Sequence, residues 1–145
     1  MSDTKTSVYI GCSLTQASEA FKADVEALKT AVRDLGYEVF DFVGLVNGTP
    51  KDVYEWDLNH CVGECDIFVG ICDYPSIGLG WELGTAVQLR KPVLAVAHAD
   101  AKITRLVLGA ADVESNMRFE RYNNLLKDVP PLLEVLKERR AQPVK

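Results

Sequence analysis

The sequence predicts an α/β fold in which a parallel β-sheet is covered by helices on both faces. Short apolar segments alternate along the chain with segments whose apolar residues recur every three or four positions. The apolar segments are nearly continuous, which is typical of strands that are buried on both faces. The chain has 145 residues, a length that suits one domain with one well-filled core.

The N-terminal half is predicted to begin with a strand over residues 7–11, where the sequence is SVYIG. A helix follows, because apolar residues recur at helical spacing as far as Gly36, a residue type that often ends helices. The run YEVFDFV predicts a second strand over residues 37–43. Glycine, asparagine and proline then predict a loop over residues 44–50, and a second helix is predicted over residues 51–64.

The C-terminal half continues the alternation. The run DIFVGIC predicts a strand over residues 66–72, DYPSIGLG a loop over 73–80, and the residues after it a helix over 81–90. Two further strands are predicted over residues 92–98 and 115–122, followed by a closing helix over 131–140 and a frayed tail over 141–145.

This order of elements favours a single doubly wound domain, flavodoxin- or Rossmann-like, that spans residues 1–145 and contains about five parallel strands. In such domains ligands bind at the carboxyl ends of the strands, where the strand order switches. The loops over residues 12–17, 44–50 and 72–80 are expected to meet there.

Charge and composition narrow the range of partners. The net charge of −5 disfavours a nucleic acid polymer, because phosphate backbones select basic surfaces. No apolar run approaches the ~20 residues of a membrane span, and the first residues show no signal-peptide pattern. We therefore expect a cytoplasmic protein that binds no membrane, in which the Asn47 glycosylation sequon is a chance match.

The four cysteines are expected to be free thiols in a reducing compartment. Cys61 and Cys65 stand one helical turn apart beside His60, but a zinc site would need a second pair of ligands at similar spacing. The other histidine, His98, stands alone. We therefore expect neither a metal nor another cofactor.

The main functional signal is the segment SIGLGWELG, residues 76–84. Its glycines resemble a phosphate-binding loop, but a dinucleotide fingerprint would follow the first strand and have a different spacing. Glu82 stands where such a loop would hold phosphate. Two interpretations are open: Glu82 is a solvated charge in the first turn of a helix, favoured by the helix dipole, or it is a carboxylate at the mouth of a binding crevice.

A second carboxylate, that of Asp57, is a further candidate for the crevice. Val53, Asp57, Cys61 and Cys65 lie four residues apart and share one helix face, so Asp57 interrupts an apolar stripe. A carboxylate there is costly unless it is paired or lines a cavity. Asp57 either forms a salt bridge or cap, or points into the same crevice as Glu82, where two carboxylates can divide the roles of nucleophile and acid.

The runs YIGCSL, WDLNHCVGECDIFVGI, PSIGLGWELGTAVQLRKPVLAV and LGAAD together resemble the nucleoside 2-deoxyribosyltransferase superfamily over residues 8–121. The resemblance is closest to its 2'-deoxynucleoside 5'-phosphate N-hydrolases, and its most specific part is Gly-x-Gly-x-Glu. It implies an N-glycoside hydrolase that acts on small-molecule nucleotides or nucleosides and forms a homodimer or a higher homo-oligomer.

By the same resemblance, Glu82 is the nucleophile that forms a glycosyl-enzyme ester, Asp57 is the acid that helps the base to leave, and Tyr9 bonds near the nucleophile. Ser76 matches a serine of the phosphate hydrolases, where the transferases have an aspartate. A serine hydroxyl and helix amides accept a 5'-phosphate that an aspartate would repel. The other substrate-binding candidates are Ser13 in the first loop, Gly78 and Gly80 beside the sugar, and Thr104, which would reach into the neighbouring subunit's site.

One segment departs from the hydrolase pattern. Leu14 and Thr15 stand where the hydrolases carry an arginine after the first serine, so Lys102 or Arg105 would have to balance the phosphate charge. Three functions stay open: hydrolysis of deoxynucleotides, base exchange by a deoxyribosyltransferase, and a non-catalytic module that binds or senses nucleotides. Ribonucleotides also remain possible substrates.

Overall fold

The computed structural model describes residues 4–42 and 48–141 of the protein. The Asn47 sequon, most of the loop predicted over residues 44–50 and nearly all of the predicted tail lie outside these residues. The strands in the described ranges are β1 (Ser7–Cys12), β2 (Glu38–Phe40), β3 (Ile67–Ile71), β4 (Val93–His98) and β5 (Met117–Tyr122). The α-helices there are α1 (Glu19–Asp34), α2 (Pro50–Tyr54), α3 (Ile77–Gln88), α4 (Arg105–Val113) and α5 (Leu125–Ala141), and α2 continues as a π-helical segment over Glu55–Val62.

The strands form one sheet in the order β2-β1-β3-β4-β5, and every pair is parallel. This order confirms the predicted doubly wound, flavodoxin-like fold. The chain runs from β1 to β2 on one side of β1 and then crosses to β3 on the other side, so the strand order switches between β1 and β3. Ligand sites of this fold lie at that switch, beyond the carboxyl ends of the two strands.

Helices cover both faces of the sheet, and the alternation of side chains along β1 shows how the faces differ. Val8 and Ile10 point to the face covered by α1 and α5, where they pack with Leu28 and Leu133. Tyr9 points to the opposite face, where α3 and the π-helical segment pack. Tyr9 therefore lies on the same side of the sheet as α3, which carries Glu82.

Helix α3 begins earlier than predicted. Ser76 caps it by accepting a hydrogen bond from the backbone N–H of Leu79 at 3.1 Å, and the helix starts at Ile77 rather than near residue 81. The expected loop over residues 73–80 is therefore half helical, because the cap outweighs the poor helix propensity of Gly78 and Gly80. Glu82 consequently lies in the second turn, and the prediction that it occupies the first turn was wrong.

Other element boundaries also differ from the prediction. Strand β2 covers Glu38–Phe40 only, and α5 begins at Leu125 although Pro130 and Pro131 lie inside it. Prolines favour the first turn of a helix, which explains why the predicted helix began at residue 131. No element was predicted where α4 lies. No helix in the described part of the chain is both long enough and apolar enough to cross a membrane.

Candidate active site

A cavity of about 660 Å³ lies at the switch between β1 and β3. Its volume is within the range of ordinary small-molecule sites. The loops that follow β1, β2 and β3 all contribute to its wall. The described wall residues are Tyr9, Cys12, Leu14, Thr15, Phe42, Gly48, Pro50, Val53, Tyr54, Asp57, Leu58, Ser76, Gly78, Leu79, Trp81 and Glu82.

Glu82 and Tyr9 meet on the wall of this cavity. The phenol of Tyr9 donates a hydrogen bond of 2.6 Å to Oε2 of Glu82. Tyr9 is 1% exposed and Glu82 is 8% exposed, so the interpretation of Glu82 as a solvated charge at a helix edge was wrong. A buried carboxylate needs a partner of this kind to offset the loss of hydration.

The other oxygen of Glu82 depends on a glycine for its space. A Cβ atom at Gly11 would lie 3.3 Å from Oε1 of Glu82 and 3.2 Å from Cδ1 of Leu79. Contacts that short would push the carboxylate or the leucine away from β1. Gly11 therefore lets α3 approach the strand closely enough for Glu82 to reach the hydroxyl of Tyr9.

Burial sets the protonation of this pair. The loss of hydration raises the pKa of Glu82 to about 7, the hydrogen bond from Tyr9 lowers it, and the charge of Asp57 raises it. Burial and the neighbouring Glu82 also raise the pKa of Tyr9 far above its ordinary value, so its hydroxyl stays protonated and donates. The pair therefore holds a carboxylate that changes charge near neutral pH.

Asp57 lies on the cavity wall as well, half-buried, within the π-helical segment. The backbone N–H of Gly63 bonds to the carbonyl of Leu58, five residues earlier, which is the π-helical pattern. π-Helical segments are rare in proteins, and many of those that are known lie at functional sites. The cavity thus brings together the two carboxylates that the sequence placed on different helices.

The other predicted site residues divide into two groups. Ser76 and Gly78 line the cavity at the start of α3. Ser13 is buried between the wall residues Cys12 and Leu14 without being a wall residue itself. Gly80 and Thr104 also lie off the wall, and the hydroxyl of Thr104 caps α4 by accepting from the N–H of Leu106 at 3.3 Å.

The described wall carries the carboxylates of Asp57 and Glu82 and no lysine, arginine or histidine side chain. Lys102 and Arg105, which the sequence suggested as balancing cations, are exposed near the start of α4 and lie off the wall. Within the described ranges no group of three or more metal-ligating side chains comes together. All four cysteines are free thiols.

Besides Tyr9, the described wall carries three aromatic side chains that sequence reasoning missed: Phe42, Tyr54 and Trp81. Tyr54 is 53% exposed and Trp81 is 61% exposed, and such rings offer flat apolar surfaces to a planar ligand. The position of Trp81 directly before Glu82 was an available signal. Tyr54 gave none, because its place on the wall depends on the path of the chain after β2.

The sequence is similar to the sequences of named proteins. A protein of Thermofilum pendens, provisionally named 2'-deoxynucleoside 5'-phosphate N-hydrolase 1, is 34% identical over 82 residues, which cover 52% of this chain and 57% of that protein. A protein of Syntrophotalea carbinolica with the same provisional name is 32% identical over 108 residues, which cover 73% of this chain and 71% of that protein. The chain thus spans little more than half the length of the first relative. No protein-family model matches the chain.

Solved structures share the fold. The CMP N-glycosidase of Clostridium botulinum superposes with a TM-score of 0.67 at 22% identity, over 89% of this chain and 98% of that one. The 2-deoxyribosyltransferase of Bacillus psychrosaccharolyticus superposes with a TM-score of 0.58 at 28% identity, over 87% of this chain and 95% of that one.

Proposed function

Because the chain belongs to the 2'-deoxynucleoside 5'-phosphate N-hydrolase family of the nucleoside 2-deoxyribosyltransferase superfamily, we propose that it cleaves the base–sugar bond of 2'-deoxynucleoside 5'-monophosphates. The observation that carries the proposal is the buried carboxylate of Glu82, held by the hydroxyl of Tyr9 at 2.6 Å on the wall of the switch-point cavity. Cleavage of this bond develops positive charge on the sugar, and a fixed carboxylate in a poorly hydrated site stabilises that charge.

In the proposed mechanism Glu82 attacks the first carbon of the sugar through Oε1, while Tyr9 holds Oε2. The carbon–nitrogen bond to the base breaks as an ester forms between the sugar and Glu82. Asp57, on the same wall, acts in its protonated form and gives its proton to the departing base. Water then attacks the first carbon of the sugar and gives one proton to the Asp57 carboxylate. The ester bond to Glu82 breaks, which releases the deoxyribose 5-phosphate and regenerates the Glu82 carboxylate.

We place the 5'-phosphate at the start of α3. Ser76 and Gly78 line the cavity there, and the first N–H groups of a helix favour an anion. Because the described wall residues include no lysine or arginine, we propose that Lys102 or Arg105 of a second copy of the chain balances the phosphate charge.

The test is to incubate the protein with each deoxynucleoside monophosphate, its nucleoside and its ribonucleotide, and to measure free base by chromatography. We expect base from the deoxynucleoside monophosphates. Base released from nucleosides and never from their monophosphates would contradict the phosphate assignment, and no base from any of them would contradict the proposed activity.

The second candidate is base exchange, favoured by the structural likeness to the deoxyribosyltransferase at 28% identity. A transferase would pass the sugar from Glu82 to a second base, so an added free base would yield a new nucleotide. A non-catalytic binding module would instead be stabilised by the nucleotide, by roughly 3 kcal/mol at a hundredfold excess over Kd, without release of base. Two carboxylates on one cavity wall, those of Asp57 and Glu82, argue against a module that only binds an anion.

We also propose that the protein is a cytoplasmic homodimer that buries the outer surfaces of α3 and α4. Ile77 on α3 is 90% exposed, and Leu106 and Val113 on α4 are each 80% exposed. Large exposed apolar side chains of this kind often mark an interface. Thr104 caps the start of α4 and would lie close to the second subunit's cavity.

Light scattering of the wild-type protein should give twice the mass of one chain. In Leu106→Glu the measured mass should fall to that of one chain, and a wild-type monomer at micromolar concentration would contradict the proposal.

Replacing Tyr9 with phenylalanine should move the acid limb of the pH profile upwards. The hydrogen bond from Tyr9 lowers the pKa of Glu82, so the variant should need a higher pH to ionise its nucleophile. The measurement is kcat/KM for base release between pH 5 and 9, a quantity that reports the free enzyme. The matched control is Tyr37→Phe, which removes a phenol bonded to Glu134 at 2.9 Å and should leave the profile in place; an unmoved limb in Tyr9→Phe would contradict the assignment.

A further inference from the structure

A group of polar side chains ties together the carboxyl ends of β3, β4 and β5, outside the cavity wall. We call Asp73, His98, Arg121 and Tyr122 the strand-end cluster. Oδ2 of Asp73 accepts a 2.6 Å hydrogen bond from the hydroxyl of Tyr122, and Oδ1 accepts from the backbone N–H of His98 at 3.2 Å. The guanidinium of Arg121 donates to the backbone carbonyl of His98 at 3.0 Å. One carboxylate thus joins three adjacent strands.

The cluster lies next to a loop that carries part of the proposed site. Asp73 precedes Ser76 by three residues, and Pro75 between them restricts its own backbone and that of Tyr74. Tyr74 packs edge-on against Phe21 at 5.0 Å between ring centroids. The loop from β3 to α3 is therefore held on one side by the strand ends and on the other by α1.

The hydrogen bond between Asp73 and Tyr122 is stable at physiological pH. Tyr122 is 6% exposed, and burial followed by the bond to Asp73 raises the pKa of Tyr122 well above its ordinary value. The phenol therefore donates over the whole physiological range, and a hydrogen bond to a carboxylate is stronger than one between neutral groups.

We propose that Asp73 is a positioning residue whose bonds to Tyr122 and His98 fix the β3–α3 loop, and thereby place Ser76 and the first turn of α3 on the cavity wall. The effects of Asp73 substitutions on KM and kcat presuppose the proposed function. Glu82 is held separately, by Tyr9 on β1. Loosening the loop should therefore weaken the binding of the 5'-phosphate at Ser76 while leaving the attack of Glu82 nearly intact.

Two substitutions of Asp73 separate geometry from charge. In Asp73→Asn the amide oxygen can accept from the N–H of His98 and the amide nitrogen can donate to the oxygen of Tyr122, so both bonds survive without the charge. Asp73→Ala loses both. We expect Asp73→Ala to raise KM for the deoxynucleoside monophosphate by about tenfold with kcat within about twofold of the wild type, and Asp73→Asn to match the wild type.

The position of the loop can also be measured without any substrate. The N–H of Leu79 bonds to Oγ of Ser76 and the N–H of Gly80 to its backbone oxygen, both at 3.1 Å. Hydrogen exchange of these two amides should be faster in Asp73→Ala and in Tyr122→Phe than in the wild type or in Asp73→Asn. Tyr37→Phe is the matched control, since it removes the hydrogen bond between Tyr37 and Glu134, a tyrosine–carboxylate bond that does not involve the β3–α3 loop.

The inference is overturned if Asp73→Ala keeps both the wild-type KM and the wild-type exchange at residues 79 and 80. It is also overturned if Asp73→Asn is as impaired as Asp73→Ala, because charge rather than geometry would then matter. If the wild type releases no base, the proposed function fails, and the exchange measurement still decides whether Asp73 positions the loop.

Discussion

Replacing Glu82 with glutamine is expected to abolish base release, with a fall in kcat of about a thousandfold or more. Glutamine has nearly the same shape and can still accept the hydrogen bond from Tyr9, but its neutral amide neither stabilises a positive sugar nor forms the ester. The measurement is the single-turnover rate of base release from the preferred monophosphate, followed by chromatography. Glu82→Ala should be equally inactive, because it removes the same carboxylate.

A matched control comes from the second tyrosine–carboxylate pair of the chain. Glu134→Gln changes a carboxylate that also accepts from a tyrosine hydroxyl, that of Tyr37, but it lies on α5, on the other side of the sheet from the cavity. It should retain wild-type turnover. Turnover by Glu82→Ala at the wild-type rate would show that another group attacks the sugar, and the mechanism proposed above would then be wrong.

Much of this arrangement could be predicted from the sequence, because it depends on local patterns. Continuous apolar runs separated by helical periodicity gave the parallel sheet, and the four-residue spacing around Asp57 gave its place on an inward face. The alternation along β1 puts Tyr9 and Gly11 on one face of the sheet, and Glu82 follows the strand that pairs with β1.

Two features were not predicted, one of them local and the other a contact between distant parts of the chain. The start of α3 is decided by the cap at Ser76, against the low helix propensity of Gly78 and Gly80. The bond between Asp73 and Tyr122 joins residues 49 positions apart, and it exists only because β3, β4 and β5 lie side by side in register. No spacing along the sequence reports such a contact.

The second large effect expected of Glu82→Gln is a gain in stability. Burial raises the pKa of Glu82 from its ordinary value of 4.5 to about 7. Between these two pH values the folded protein keeps a proton on Glu82 that the unfolded chain has lost, so the free energy of unfolding falls as the pH rises through this window. Above about pH 7 Glu82 is ionised in both the folded and the unfolded protein, and its contribution to the free energy of unfolding no longer changes with pH. The total loss amounts to about 3 kcal/mol.

Glu82→Gln should remove that loss, since an amide at this position never ionises. We expect the variant to be more stable than the wild type by about 3 kcal/mol at pH 8, and equally stable near pH 4.5, where the wild-type carboxyl is also neutral. Urea unfolding of both proteins at several pH values measures the difference, and groups that titrate alike in both proteins cancel from it. Equal stability at pH 8 would show that the carboxylate is better hydrated than its burial indicates. A gain at pH 8 combined with the loss of base release would show that the buried charge is kept for chemistry at the expense of stability.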